Sequence, residues 1–128
     1  MKGSLHSVVV VSGNNKSLKD IVNELAKIPR VKVHMAKDII GMFAASHFSF
    51  PAAILVDESV TERERALAIA KACFPYARTY YLPKTGEEPK PQYADEMYPH
   101  DAYTAGEVAG AIDEHLEGIE QGTLFERT

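Results

Sequence analysis

Asp57 is the residue of this sequence best placed to do chemistry. It closes the apolar run Pro51-Ala52-Ala53-Ile54-Leu55-Val56, and Glu58 follows it directly. A buried strand that ends on a carboxylate delivers it to the rim of a sheet, where ligands bind in open α/β folds. The plainer role is that of a polar residue capping the turn after the strand. A second apolar run, Val8 to Val11, ends on Ser12-Gly13-Asn14-Asn15. At the start of a helix, Ser12, Gly13, Asn14 and Asn15 could cradle an anion, because free N–H groups and the dipole favour negative charge there. A tight strand-to-helix turn, with glycine and asparagine supplying permissive backbone angles, explains the same residues more economically. Neither Gly-x-x-x-x-Gly-Lys nor Gly-x-Gly-x-x-Gly occurs, so neither nucleotide-binding fingerprint is present.

His6, His34, His47, His100 and His115 show no metal-ligand spacing, and none pairs with Cys73 in a motif. His100-Asp101, beside Asp95-Glu96, offers a weak cation site at most, and a solvated loop accounts for these residues better. No metal site is predicted. Cys73 lies on a helix that otherwise packs inward, which predicts a core residue rather than a nucleophile. No Ser-His-Asp arrangement carries a local signature. The second half is dense in tyrosine: Tyr76, Tyr80, Tyr81, Tyr93, Tyr98 and Tyr103. Such side chains serve as interface anchors or as half-buried packing under a long loop, and the sequence weighs the two equally.

These residues need elements to position them. Four consecutive valines do not alternate, so both faces of that strand are expected to be buried, as in a parallel sheet. Leu18, Ile21, Val22, Leu25 and Ile28 recur at helical spacing, with Ser17 and Asp20 as a start signal and Pro29 as the stop. Val31, Val33 and Met35 alternate with Lys32 and His34, the pattern of an edge strand with one wet face. Asp38 caps a second helix running toward Phe48. Thr61 and Glu64 predict a capping box for a third helix, which Pro75 stops. Ala77 to Leu82 reads as a fourth strand. Pro83 to Asp95 carries four prolines and glycines among charges, which is loop chemistry. A short strand is expected near Glu96 to Tyr98. Thr104 and Glu107 cap a last helix, with Val108, Ile112, Leu116 and Ile119 on one face. Alternating strands and helices imply right-handed crossovers and a parallel sheet of order 2-1-3-4-5. The strand ends would then gather Ser12 to Asn15, Asp57 to Ser59, and Pro83 with Lys84 in one crevice.

The run Pro51 to Asp57, set in this order of elements, resembles a response-regulator receiver domain of two-component signalling. The resemblance covers nearly the whole chain apart from a missing fourth helix. It implies a flavodoxin-like (CheY-like) three-layer α/β/α fold with a five-stranded parallel sheet, the fourth helix missing or replaced by a loop. It also implies that Asp57 occupies the place of the phosphoacceptor. Receiver chemistry then requires a Mg²⁺ ion to neutralise the crowded oxygens, held by an acidic pair after the first strand. It further requires a Ser or Thr after the fourth strand, and a lysine followed by proline after the fifth. Gly13 and Asn14 stand where the acidic pair is expected, and Pro83 where the hydroxyl is. Asp101, followed by Ala102, lies near the expected lysine, where a carboxylate would repel a phosphoryl group. Lys84 is the nearest substitute.

At 128 residues, 45% hydrophobic and 25% charged, the chain is long enough and ordinary enough for one globular domain. Residues 1–120 are read as that receiver-like domain and 121–128 as a polar C-terminal tail. The net charge of −4 argues against a general grip on nucleic acid. No apolar stretch approaches membrane-spanning length and no signal-peptide pattern opens the chain, so a cytoplasmic location is expected, away from membranes. One cysteine allows no internal disulfide. The expected function is a non-enzymatic, receiver-like signalling module acting through protein contacts, with a protein partner or a second copy. Tyr80, Tyr81, Tyr93, Tyr98 and Tyr103 are the interface candidates, and no cofactor is expected. Two alternatives remain: a phosphoaccepting receiver using Asp57 with Mg²⁺, and a small-ligand binder or enzyme using the strand-end crevice.

Overall fold

The computed structural model describes residues 5–46 and 50–121. Along the chain run β1 (His6–Val11), α1 (Asn15–Ala26), β2 (Val31–Ala36), α2 (Ile39–Ser46), β3 (Pro51–Asp57), α3 (Arg63–Cys73), β4 (Arg78–Leu82), β5 (Glu96–Met97) and α4 (Ala105–Glu120). All pairings are parallel, in the order β2-β1-β3-β4-β5. β1 and β3 lie side by side, with Val8 opposite Ala53 and Val11 opposite Val56.

Consecutive strand residues point to opposite faces, so two apolar layers form from the same strands. Val8, Val10, Ala53, Leu55 and Tyr80 pack on one face with Leu18, Ile21 and Leu25 of α1 and Ile112 and Leu116 of α4. Val9, Val11, Ile54, Val56 and Tyr81 pack on the other with Met42 of α2 and Ala66, Leu67 and Ala70 of α3. This is why the valine run has no polar break. Each fully buried leucine contributes about 1.5–3 kcal/mol relative to exposure.

Two helix starts follow the sequence. Gly41 N–H donates to Asp38 Oδ1 at 2.8 Å, and the Thr104–Glu107 capping box closes reciprocally. Two do not. The first helix begins at Asn15, so Ser17 and Asp20 lie inside it. The third has Glu62 as its N-cap residue without a side-chain bond, so the Thr61–Glu64 box is not formed. Thr61 sits one position too early for its hydroxyl to reach the free N–H groups of the first turn. Phe48 and His47 lie outside the described residues, as does most of the 121–128 tail. On edge strand β2, Met35 is exposed and His34 half-buried, which breaks the expected alternation at its end.

The segment between β4 and β5 holds no helix, and it is pinned to its neighbours. Thr79 N–H donates to Asp95 Oδ2 at 2.9 Å and Thr79 Oγ1 to the Tyr93 carbonyl at 2.7 Å. Lys71 of α3 pairs with Asp95 at 2.5 Å, and Arg63 with Glu88 at 3.5 Å. Burial works against the Asp95 carboxylate, but the bonds from Lys71 and Thr79 outweigh it and hold its pKa below the ordinary range. Pro89 and Pro91 have no N–H to offer a helix, and side-chain ties do the anchoring instead.

Candidate functional site

The parallel register that pairs Val11 with Val56 carries Ser12 to the side of Asp57, beyond the ends of β1 and β3. Both side chains are fully buried. Ser12 Oγ donates to Asp57 Oδ2 at 2.8 Å and lies 2.8 Å from the Asn14 carbonyl oxygen. The other carboxylate oxygen, Oδ1, accepts from Ser59 N–H at 3.1 Å and Ser59 Oγ at 2.6 Å. Ser59 Oγ in turn accepts from Gly13 N–H at 2.9 Å and Asn14 N–H at 3.1 Å. Asp57 therefore caps the turn that follows β3 and also joins the β1–α1 turn through two serines.

Gly13 has no room to be anything else. A Cβ there would stand 2.7 Å from the Ser59 carbonyl oxygen. The two residues that follow β1 are Ser12 and Gly13, so the acidic pair of a receiver would begin one residue earlier than Gly13 and Asn14. Ser12 occupies the first of those places with a hydroxyl, and Gly13 the second with no side chain.

Glu58, half-buried beside Asp57, has its pKa raised, chiefly by burial and then by the neighbouring Asp57 charge. His100 and Lys84 pull the other way. Glu58 Oε1 and His100 Nε2 are both enclosed without a hydrogen-bond partner. His100 reaches this rim because its N–H donates to the buried Pro83's carbonyl at 2.9 Å. Lys84 is exposed, and its carbonyl accepts from Asp101 N–H at 3.2 Å. Ser12, Gly13, Asn14, Asp57, Glu58, Pro83 and Lys84 thus meet at one end of the sheet.

Asp101 plays a different part. β5 ends at Met97, so Tyr98-Pro99 directly follows the strand, the place the lysine-proline pair would take. Asp101 lies further on, where its carboxylate accepts from Gly86 N–H at 3.2 Å and ties the loop. The carboxylates next along the chain are already paired, Asp95 with Lys71 and Glu96 with Arg78. Among the described residues no group of three or more His, Cys, Asp or Glu side chains could hold a metal ion.

Ser59 and His100 are the residues that sequence reasoning undervalued. The Asp-x-Ser spacing is a turn signal for Ser59, while nothing local marks His100. Cys73 is exposed at the end of α3, against the expectation of a core position.

The tyrosines divide. Tyr80 and Tyr81 are buried on opposite faces of β4 and present no ring to a partner, so they are core residues. Burial raises the pKa of both, and Tyr81 donates its hydroxyl to Glu88. Tyr98 stacks on Tyr80 at 6.0 Å, and Tyr103 meets Tyr98 edge-on at 4.9 Å. Tyr93 and Tyr103 are exposed and Tyr98 half-buried. Beside them a cavity of about 310 Å³ opens between β5 and α4, lined by Tyr98, Arg78, Glu96, Glu114 and His115.

Solved structures similar to this chain include receiver domains. The signal receiver domain of an HD domain-containing protein from Pseudomonas fluorescens Pf-5 superposes with a TM-score of 0.78 at 11% identity, over 98% of this chain and 96% of that one. A CheY-like response regulator receiver domain protein from Methanospirillum hungatei JF-1 gives 0.73 at 16% identity, over 93% and 99%. A response regulator receiver domain protein from Clostridium thermocellum gives 0.69 at 15%, over 91% and 98%. No protein-family model and no curated protein matches the sequence. The chain has the receiver-domain fold, a CheY-like flavodoxin-type sheet with four helices. Among the described residues no helix is long and apolar enough to cross a membrane.

Proposed function

We propose that this chain is a receiver-like signalling module that works without phosphorylation of Asp57 and without enzymatic activity, through protein contacts. The observation that carries the reading is the engagement of both Asp57 oxygens by Ser12 and Ser59 inside a buried network. A nucleophilic carboxylate needs an accessible oxygen facing its electrophile. Here the Asp57 carboxylate is fully buried, Oδ1 already accepts two bonds from Ser59, and Oδ2 lies under the Ser12 hydroxyl, so exposing either oxygen would break a buried network.

The donor set does not fit the divalent ion that receiver chemistry uses. Mg²⁺ takes hard oxygen ligands in near-octahedral geometry. Ser12 offers a hydroxyl already engaged, and Gly13 cannot accept a side chain while Ser59 stays in place. The Glu58 carboxyl is held toward its neutral form, first by burial. We therefore assign no metal to the resting site.

The surface proposed for a partner protein is the one around Tyr98, Tyr103 and the exposed side of α4. Tyr80 supports it from within as a rigid base for the two outer rings. A Tyr backed in this way offers contact area at little cost in side-chain entropy.

The test is intact mass after incubation with Mg²⁺ and a small phosphodonor. No phosphoryl adduct is expected. A mass gain of one phosphoryl group that disappears in Asp57→Asn would overturn the reading and establish a phosphoaccepting receiver.

A further inference from the structure

We propose that the end of the sheet opposite the strand-end site is a contact surface between two copies of this chain. This goes beyond the signalling reading and does not depend on it. At that end Phe50, just before β3, is 85% exposed, and Tyr76, two residues before β4, is 72% exposed. Phe74, the residue that ends α3, has its ring centroid 6.3 Å from both Phe43 and Phe50. Phe43, halfway along α2, is itself exposed. These side chains form one apolar strip.

The size of the strip argues for association. A Phe or Tyr side chain carries about 150–250 Å² of surface. With 85%, 72% and 41% of Phe50, Tyr76 and Phe43 exposed, the three present about 400 Å² of largely apolar surface, the size of the largest patch on a monomer, which is often functional. Covering it on two copies at once removes about 800 Å² from water, the size of a weak, reversible contact.

Its shape and charge select a second copy as the occupant. A cavity of about 320 Å³ opens within the strip, lined by Phe50, Pro51, Cys73, Phe74, Tyr76 and their neighbours, with no charged group among them. The protruding Phe50 ring therefore stands at the edge of a hollow that can receive an aromatic ring. A two-fold contact requires a surface that carries both the projection and its receptor. Each copy has a net charge of −4, so an uncharged face is where two of them meet with least repulsion. The strands run away from this pole, which leaves the Tyr98 and Tyr103 surface open in the dimer.

The experiment is sedimentation equilibrium of the whole chain under reducing conditions, from about 10 μM to about 1 mM, the range suited to an interface of this size. A reversible monomer–dimer equilibrium is expected. Phe50→Asp and Tyr76→Asp should each raise the dissociation constant at least about tenfold. A second readout uses the unmodified chain: Cys73, exposed at the cavity wall, should react with a maleimide several-fold more slowly at the high end of the concentration range. That readout stands even if a substituted chain fails to fold. A chain that stays monomeric to the highest concentration overturns the proposal. So does a dimer whose stability ignores both substitutions and leaves Cys73 fully reactive. Protection of Cys73 in a monomer only by an added apolar compound would assign the hollow to a small ligand and overturn it as well.

Discussion

Gly13→Ala tests how the strand-end site is built, and the sign of its effect is informative. The Cβ of alanine would lie 2.7 Å from the Ser59 carbonyl oxygen, against the 3.4 Å at which ordinary contact begins, a shortfall of 0.7 Å. If Gly13 were only a flexible turn residue, alanine would stabilise the protein by about 0.4–1 kcal/mol through the unfolded chain. The contact reverses this. Overpacking costs about 1–3 kcal/mol, and Ser59 cannot retreat freely because its N–H and hydroxyl hold Asp57 at 3.1 and 2.6 Å. Loosening one bond to a charged group adds about 1.5 kcal/mol. The net expectation is a loss of about 2–3 kcal/mol, read from urea unfolding with the slope unchanged. Because the loss passes through Ser59, Gly13→Ala and Ser59→Ala should be clearly non-additive in a double-mutant cycle. An alanine variant as stable as the parent, or more so, would refute the close approach and with it the argument that no carboxylate fits at this position.

Three further outcomes follow from the same structure. Glu58 has a raised folded-state pKa, through burial first and Asp57 second, so its stabilisation is complete below the unfolded value near 4.5 and is lost as pH rises through the folded value. Glu58→Gln should therefore raise the melting temperature at pH 7 and leave it near that of the parent at pH 4, and equal shifts at both would contradict the cause given. Asp95 has the opposite sign: despite burial, Lys71 and Thr79 lower its pKa, so its stabilisation is present above about 3.8 and is lost as pH falls through the folded value. Asp95→Asn should destabilise at pH 7, with the difference closing in acid, as thermal melts across pH will report. Thr104→Ala opens the capping box at α4 and should cost about 1 kcal/mol in urea unfolding, recovered by Thr104→Ser.

The sheet is legible in the amino-acid pattern alone. Val8 to Val11 and Ala53 to Val56 have no polar residue, and only a parallel sheet covered on both faces buries such a run. The sequence also marks the start of the last helix, because Thr104 and Glu107 are partners three residues apart. It also determined the loop before β5, because prolines deny a helix its donors whatever surrounds them. The rule that buries consecutive valines applies equally to Tyr80 and Tyr81, and only their hydroxyls suggested a surface role. Burial of Tyr81 became affordable through Glu88, a partner seven residues away that local pattern does not identify.

The site depends on contacts between segments far apart in the chain. Ser12 and Ser59 meet Asp57 because two crossovers bring the ends of β1 and β3 together, across 45 residues for the Ser12–Asp57 bond. The same approach forbids a side chain at Gly13, which in the sequence is one more turn glycine. Thr61 and Glu64 have the spacing of a capping box, but α3 starts one residue later than that box requires, where its packing on β3 and β4 sets it. Cys73 shares helical spacing with buried residues but falls at the last residue of α3 and is exposed, whereas Tyr98 sits beside a strand of two residues and is stacked by its neighbours. Periodicity encodes which residues share a face. What covers that face, and how closely two turns approach, is fixed by distances between segments far apart in the chain.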